Sequence, residues 1–191
     1  MEAERNKLII FSAPSGSGKT TLVKYLMQEL PSLEFSISAT TRAPRGKEKN
    51  AQDYYFLSID EFKSAIDQEA FVEWEEVYPN QFYGTLKSEL QKIWDKRHIV
   101  VFDVDVVGGV NLKEYFKDQA LALFIQAPSI DHLKQRLIER ATDSSEQIDK
   151  RIAKARKEME YANKFDQVII NDQLSTAQEE LLKACKQFLM K

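Results

Sequence analysis

The sequence predicts an α/β protein, built as a sheet of parallel strands with helical crossovers. Short runs rich in Val, Ile and Phe alternate along the 191 residues with segments whose apolar residues recur at helical spacing. Such runs are typical of buried parallel strands, and their alternation with helices is typical of a sheet covered by helices. A chain of this length with 43% hydrophobic residues can bury a sizeable core. We therefore expect a single domain, with inserted lobes where the alternation breaks.

Four apolar runs are the predicted strands of this sheet. They cover residues 8–11, 98–107, 120–127 and 167–170. Five segments have the spacing of amphipathic helices, and they cover residues 22–30, 86–94, 133–137, 148–159 and 174–188. Asp103 and Asp105 alternate within the second run, so we predict that both carboxylates lie on one face of the sheet near the C-terminal end of the strand. Two carboxylates there are costly unless they meet a cation or a hydrogen-bond donor.

Two stretches interrupt the alternation. Residues 35–85 hold short polar and aromatic runs separated by turn residues, which predicts an inserted lobe. Residues 141–147, ATDSSEQ, are predicted to form a polar loop between two helices that carry arginines. We expect this loop to act as a mobile flap.

Composition argues against several classes of function. The net charge of −3 argues against a broad basic surface for nucleic acid. Cys185 is the single cysteine, so the chain forms no internal disulfide or cysteine-rich zinc site, which suits a reducing compartment. The apolar run LIIF near the N-terminus is too short for a signal-peptide core or a membrane span. We expect a cytoplasmic protein that binds small molecules and neither nucleic acid nor membrane.

A glycine-rich segment, FSAPSGSGKTTL at residues 11–22, lies between the first predicted strand and the first predicted helix. In that setting a glycine turn forms a nest of backbone N–H groups that binds phosphate, although an ordinary glycine turn is the alternative. Gly16 and Gly18 let the backbone approach the ligand closely. Lys19 supplies positive charge to the terminal phosphates of a nucleoside triphosphate, and Thr20 offers its hydroxyl to magnesium. The residues predicted to bind the triphosphate here are Ala13, Pro14, Ser15, Gly16, Ser17, Gly18, Lys19, Thr20 and Thr21.

The inserted stretch carries groups suited to a second phosphate. In SATTRAPRG, Arg42 and Arg45 flank Pro44, and guanidinium forks on a stiffened segment suit a phosphate monoester. Tyr54 and Tyr83 add hydroxyl donors. The alternative interpretation is a solvated basic loop beside core aromatic residues whose hydroxyl groups reach water.

Several segments in a fixed order carry a family resemblance. They are SAPSGSGKTTL, SISATTRAPRGKEKNAQDYYF, FVEWEEVYPNQFYGT, VVFDVDVVGG and VIINDQL. From about residue 7 to the C-terminus, the chain resembles the guanylate kinases, nucleoside monophosphate kinases that phosphorylate GMP with ATP. The resemblance implies a P-loop NTPase-type parallel sheet with flanking helices, an inserted mixed α/β lobe for GMP and a helical lid. It places the core at about 5–34, 86–127 and 163–191, the GMP lobe at about 35–85 and the lid at about 128–162.

The resemblance also implies roles for individual residues. The residues expected to hold the GMP phosphate are Arg42, Arg45, Tyr54 and Tyr83. Those expected around the guanine are Ser38, Glu73, Thr85 and Asp105, and Gly84 is a further residue expected to bind GMP. Those expected to assist transfer are Lys19, Arg42, Arg140 and Arg151. Arg136 and Asn171 are expected to contact ATP in addition to the glycine-rich loop, and Thr20 and Asp103 are expected to contact Mg²⁺.

The sequence departs from the family pattern at four positions. Ala13 stands where glycine is usual, which matters only if that position needs a positive φ. Val107 and Gly109 replace an expected Gln and Val. Ala141 replaces the glycine that usually follows the lid arginine, and we expect it to stiffen closure of the lid.

The chemistry of guanine supports Glu73 as the residue that reads the base. Guanine presents adjacent donors at N1 and at its exocyclic amine, and an ionised carboxylate accepts from both. Adenine has no such pair. The alternative is that Glu73 is a surface acid.

Direct in-line phosphoryl transfer requires alignment and positive charge rather than a nucleophilic side chain, because the acceptor is already a phosphate oxyanion. Arg136 and Arg140 lie four residues apart on one predicted helix face, and Arg151 follows the polar loop. Closure of the flap would bring arginines to the transferred phosphate. The alternative is a solvated helix face with Glu139 and Glu146 as ion partners.

Two rival functions remain at this point. One is a guanylate-kinase-like binding module that has lost catalysis; such modules typically lack an intact phosphate loop, whereas this chain has one. The other is a kinase of AMP or of a pyrimidine monophosphate, against which Glu73 and Thr85 argue. The sequence leaves open whether the chain is a monomer or a homodimer.

Overall fold

The computed structural model describes residues 6–139 and 144–191. Its strands are β1 (Leu8–Ser12), β2 (Leu33–Phe35), β3 (Ala39–Thr40), β4 (Tyr55–Phe56), β5 (Phe71–Tyr78), β6 (Gln81–Leu86), β7 (Ile99–Asp103), β8 (Ala120–Gln126) and β9 (Gln167–Ile170). Its α-helices are α1 (Lys19–Glu29), α2 (Ile59–Asp67), α3 (Lys87–Asp95), α4 (Val106–Phe116), α5 (Ile130–Glu139), α6 (Ser145–Met159) and α7 (Leu174–Leu189). The chain divides into two units. The first consists of Met1–Leu33 and Val101–Lys191, and the second of Glu34–Val100.

The first unit is built on a sheet with the strand order β2-β7-β1-β8-β9. Its strands β1, β8 and β9 are parallel, with Leu8 opposite Ala120 and Leu123 opposite Gln167. All five residues of β1 are buried, because helices cover both faces of a parallel sheet. The predicted α/β fold, a parallel sheet with flanking helices, is confirmed.

Helices α1, α4 and α7 cover this sheet. Helix α1 packs against α7, and α4 packs against β1 and β8. Cys185 lies on the buried face of α7, and burial raises the pKa of its thiol to about 12, so the thiol stays protonated at neutral pH. Within the described ranges, no helix has both the length and the apolarity needed to cross a membrane.

Strand β7 is shorter than predicted. It ends at Asp103 and α4 begins at Val106, so the prediction of a strand over 98–107 was wrong in its last part. Asp105 is the N-cap of α4, and its Oδ1 accepts a hydrogen bond from the backbone N–H of Gly108 at 2.8 Å. This capping interaction outweighs the strand preference of the neighbouring valines. Asp103 and Asp105 therefore do not alternate on one face of a strand.

Helices α5 and α6 pack against each other. Their shared apolar core consists of Ala127, Leu133, Leu137, Ile148, Ile152 and Ala155. The predicted polar loop over 141–147 was wrong from Ser145 onward, where α6 begins; residues 141–143 lie outside the described residues. The helix starts there because Ser144 and Gln147 form a reciprocal capping box.

The second unit is a smaller α/β assembly. Its sheet has the order β4-β3-β6-β5, with β3 parallel to β4 and antiparallel to β6. The rings of Phe62 and Phe71 stack with centroids 4.3 Å apart, and those of Phe62 and Phe82 with centroids 5.4 Å apart. The unit also contains α3. The predicted bounds of the GMP lobe, 35–85, and of the lid, 128–162, concern ligand-binding regions and stay predictions.

Helix α2 is fixed at its N-terminus by a capping box. The backbone N–H of Glu61 donates to Ser58 Oγ at 3.2 Å, and the backbone N–H of Ser58 donates to the Glu61 carboxylate at 2.7 Å. The hydrogen bonds from Ser58 lower the pKa of Glu61. The cap positions the helix that carries Phe62 into the core of the second unit.

We predict that Ser58→Ala lowers the free energy of unfolding by about 1 kcal/mol, because the N–H of Glu61 loses its acceptor. Urea unfolding measures the change. Ser58→Thr is the matched control, since it keeps the hydroxyl. Equal stability of the alanine and threonine variants would contradict this assignment.

Candidate active site

The glycine-rich segment forms a tight turn between β1 and α1. Gly16 has φ 94° and Gly18 has φ 88°, a left-handed backbone that side chains rarely adopt. The turn is closed by a hydrogen bond from the N–H of Ser17 to the carbonyl of Pro14 at 3.1 Å. Since the first N–H groups of α1 have no partners within the helix, this end of α1 is suited to bind an anion.

Ala13, which replaces the usual glycine, causes no conflict with the backbone. The described residues with positive φ include Gly16 and Gly18 but not Ala13. Alanine is therefore compatible with this position. Of the other departures, Val107 is exposed on α4 and Gly109 is buried on the same helix, while Ala141 lies outside the described residues.

Asn171 supports the loop from the end of β9. Its buried side-chain amide donates to the carbonyl of Ser17 at 2.8 Å. The Arg136 guanidinium on α5 donates to the Asn171 carbonyl at 2.8 Å. A Cβ atom at Gly18 would lie 2.2 Å from Asn171 Nδ2, so the loop and the asparagine fit together only with glycine there. Both residues predicted to contact ATP from outside the loop are thus linked to it.

Lys19 and Asp103 form an ion pair at the mouth of the nest. Lys19 Nζ also donates to the carbonyl of Val104 at 3.4 Å. Thr20 and Thr21 are exposed on the first turn of α1. These residues border a cavity of about 630 Å³, and its lining consists of residues 13–21, Asp103, Val104, Asp105, Lys154 and Glu158.

Helix α6 brings further positive charge to this cavity. Arg151 Nη1 donates to Ser15 Oγ at 2.6 Å, so the predicted lid arginine reaches the phosphate loop. Lys154 lines the same cavity and forms an ion pair with Glu158 at 3.5 Å. Sequence reasoning missed Lys154, although it lies three residues after Arg151 on α6 and therefore on a neighbouring part of the same helix face. Arg140, the other predicted lid arginine, lies outside the described residues.

In the second unit, Arg42 lies among aromatic side chains. Its Cζ atom is 5.2 Å from the centroid of the Tyr54 ring and 5.8 Å from that of Phe56. Tyr83 meets Tyr54 edge to face at 6.2 Å. Three of the four residues predicted for the GMP phosphate, namely Arg42, Tyr54 and Tyr83, are therefore together.

Glu48 is a functional candidate that sequence reasoning missed. Its Oε2 and Oε1 accept hydrogen bonds from Arg42 Nη1 and Nη2 at 2.9 and 3.0 Å. Oε2 also accepts from the backbone N–H of Arg45 at 2.7 Å, while the Arg45 side chain is exposed. The hydrogen bonds from Arg42 and then Arg45 lower the pKa of Glu48. The hydrogen bonds of Arg42 with Glu48, and after them a hydrogen bond with Tyr83, raise the pKa of Arg42.

Glu73, Gly84 and Thr85, three of the residues predicted around the guanine, lie on neighbouring strands of the second unit. Thr85 on β6 is opposite Glu73 on β5, and its hydroxyl donates to Glu73 Oε1 at 2.7 Å. Gly84 is opposite Ala39, the residue after Ser38. The strand register thus places the Glu73 carboxylate and the Thr85 hydroxyl side by side. Asp105 belongs to the first unit.

A buried carboxylate, Glu89, was also missed. Its side chain is 4% exposed. Tyr55 Oη donates to Glu89 Oε2 at 2.7 Å, and the backbone N–H of Ile37 donates to Oε1 at 3.4 Å. Burial and then this hydrogen bond raise the pKa of Tyr55. Glu89 therefore connects α3 to the segment before β3, which carries Ser38. The apolar spacing from which α3 was predicted does not indicate that a carboxylate on this helix is buried.

A lysine-bearing nest at a helix N-terminus, with an arginine and tyrosine cluster elsewhere in the chain, defines a nucleotide-dependent phosphotransferase. The family model described as Guanylate kinase matches residues 5–188. The chain therefore belongs to the guanylate kinase family, as its sequence predicted. Members of this family are ATP:GMP phosphotransferases, with ATP as the co-substrate, and this activity is that of the chain.

Individual relatives agree with the family assignment. The guanylate kinase of Bacteroides fragilis is 56% identical over 183 residues, which are 96% of this chain and 90% of the relative. That of Porphyromonas gingivalis is 52% identical over 186 residues, 97% of this chain and 99% of the relative. The crystal structure of guanylate kinase from Anaplasma phagocytophilum aligns with a TM-score of 0.71 at 25% identity, covering 97% of this chain and 87% of that one.

We predict that Gly18→Ala reduces turnover with ATP by a factor of at least about 100, because positive φ and the Asn171 amide both oppose a Cβ there. Steady-state kinetics at varied ATP measures the loss. Gly46→Ala is the control, since Gly46 also has positive φ (56°) but nothing lies within 4 Å of its added Cβ. Both variants are assayed at saturating GMP, because Gly46 lies in the turn between Arg45 and Glu48. A loss in Gly18→Ala no larger than that in Gly46→Ala would contradict the role of the Asn171 contact.

Proposed function

We propose that this chain transfers the γ-phosphoryl group of ATP directly to the phosphate of GMP, with the roles of individual residues given below. The observation that carries the proposal is the intact phosphate loop, with Gly16 and Gly18 left-handed and Lys19 at its mouth. No serine or histidine nucleophile is required, because the acceptor is already a phosphate oxyanion.

The loop of residues 13–21 holds the phosphates of ATP. Its backbone N–H groups and the N-terminal end of α1 favour negative charge. Lys19 places its ammonium group at the terminal phosphates, and Arg151, already at Ser15, adds charge to the transferred group. Arg136 and Asn171 stabilise the loop that contacts ATP. Arg140 stays a prediction of the family resemblance.

Thr20 and Asp103 fit a magnesium ion bound together with ATP. Magnesium in such sites takes one or two protein ligands in addition to substrate phosphates. The exposed Thr20 hydroxyl and the Asp103 carboxylate border one cavity. When bound, the ion supplies positive charge to the phosphate oxygens of ATP.

The arginine and tyrosine cluster of the second unit binds the phosphate of GMP. Arg42 presents a planar guanidinium whose orientation is restricted by the rings of Tyr54 and Phe56. Tyr83 supplies a hydroxyl, and the exposed Arg45 side chain is available at the same turn. Guanidinium groups suit a phosphate monoester because they form two parallel hydrogen bonds.

Glu73 reads the guanine. The hydrogen bond from Thr85 orients the carboxylate, which then accepts from N1 and the exocyclic amine of the base. Ser38, on the segment before β3, and Gly84 complete the surroundings of the base in the second unit. Asp105, capping α4 in the first unit, is the remaining candidate for the guanine amine.

The substrate panel that tests the proposal measures ADP release from ATP and magnesium with GMP, AMP, CMP and UMP as acceptors. We expect turnover with GMP and at least about 100-fold lower kcat/KM with the others, because a buried acceptor left without its donor penalises the wrong base. Turnover with none of them would favour a binding module, and turnover with AMP would overturn the role of Glu73.

We predict that Glu73→Gln raises the KM for GMP about tenfold or more and leaves the KM for ATP nearly unchanged, because the amide keeps one neutral acceptor and puts an N–H donor in place of the second acceptor. Initial rates at varied GMP and varied ATP measure both constants. Glu76→Gln is the matched control. It removes the same charge from β5 and keeps an acceptor for the N–H of Asn80. An unchanged KM for GMP in the Glu73 variant would mean that another residue reads the base.

A further inference from the structure

We infer that Glu48 is a positioning residue for GMP, because it holds the guanidinium of Arg42 in the orientation that receives the phosphate. The inference rests on the proposed function, in which Arg42 binds that phosphate. It assigns a role to a carboxylate that lies next to an anion site, where negative charge is otherwise unfavourable.

The two hydrogen bonds from Arg42 to Glu48 occupy the end of its guanidinium group, between Nη1 and Nη2. Glu48 takes one N–H of Nη1 and one of Nη2, and the carbonyl of Ala43 takes another N–H of Nη1 at 2.7 Å. A guanidinium has five N–H donors. The N–H of Nε and the second N–H of Nη2 form the side edge of the fork, and this edge has the spacing for a second bidentate acceptor.

The plane of the guanidinium is also fixed. The centroids of the Tyr54 and Phe56 rings lie 5.2 and 5.8 Å from the Cζ atom of Arg42. The backbone N–H of Arg42 donates to Thr40 Oγ1 at 3.1 Å, which holds the main chain of the residue. The Arg42 side chain is only 10% exposed. With the plane restricted by aromatic rings and one edge bound by Glu48, the direction of the side edge is determined before GMP arrives. Such preorganisation lowers the entropic cost of binding.

Glu48 is itself held in place by the turn that carries Arg45. Its backbone N–H donates to the Arg45 carbonyl at 3.0 Å, and its carboxylate accepts from the Arg45 N–H at 2.7 Å. The carboxylate therefore links the Arg42 side chain to the backbone of the turn at Arg45. Removing it would release both Arg42 and the turn at Arg45.

A competing role for Glu48 makes the opposite prediction. If the carboxylate occupied the place of the phosphate, GMP would have to displace it, and removing its charge would strengthen GMP binding. If Glu48 positions Arg42, removing its charge weakens GMP binding. The sign of the change separates the two roles.

The experiment measures the dissociation constants of GMP and guanosine for the whole chain by isothermal titration calorimetry. For Glu48→Gln we expect GMP to bind about tenfold more weakly, since a charge-assisted pair that orients Arg42 is lost. Guanosine should bind as it does to the parent chain, because it lacks the 5′ phosphate. Glu61→Gln is the matched control. It removes a charge in the same unit, and glutamine also serves in a capping box.

A double-mutant cycle with Arg42→Ala shows whether Glu48 acts through Arg42. In the Arg42→Ala background, Glu48→Gln should cause a smaller loss of GMP affinity than in the parent chain, because only its effect on the turn at Arg45 remains. Tighter or unchanged GMP binding in the single Glu48 variant would overturn the inference, as would an equal loss for GMP and guanosine or an undiminished effect in the Arg42→Ala background. Absence of GMP turnover by the parent chain would instead overturn the proposed function, so the two failures are distinguishable.

Discussion

The left-handed backbone at Gly16 and Gly18 is the constraint on which the chemistry of the first unit depends. It aims the N–H groups of the loop and the start of α1 at one place, and only residues without a side chain adopt it at little cost. The buried strand β1 fixes where the loop begins. The Asn171 amide, at the end of another strand of the same sheet, holds the Ser17 carbonyl and leaves no room for a Cβ at Gly18. The geometry of the loop therefore depends on the sheet edge as a whole.

Two cations proposed to bind phosphate each meet a carboxylate in their own unit. Lys19 is paired with Asp103, and Arg42 is paired with Glu48. A cation that is partly removed from water loses hydration, and a carboxylate offsets part of that cost while fixing the direction of the side chain. The two pairs differ in the geometry of the cation that each would present to a phosphate. Lys19 presents a point charge that turns easily, whereas Arg42 presents a planar fork whose side edge has the geometry for a second acceptor while Glu48 stays in place.

The sequence predicted the long elements well because their apolar residues repeat with a clear period over many residues. It failed where one side chain decides the local structure. Asp105 lies in a run that reads as strand, yet its carboxylate caps α4 and ends the strand at Asp103. The loop motif was recognisable because all its parts are contiguous. The pair of Arg42 and Glu48 depends instead on a turn that brings residues six apart into contact, and no periodicity reports such a turn.

The ionisation of Glu48 bears on how GMP binding depends on pH. Hydrogen bonds from Arg42 and from the Arg45 backbone lower its pKa in the folded chain, so its contribution to stability is present above its ordinary value of 4.5 and is lost as the pH falls through the lowered value. A phosphate monoester loses its second proton near pH 6. Between pH 5 and 8 the ion pair of Arg42 and Glu48 therefore stays intact while the charge on the phosphate changes. We therefore expect a change in GMP affinity near pH 6 to report the ionisation of the ligand, because Arg42, the proposed partner of the phosphate, keeps its pairing with Glu48 throughout.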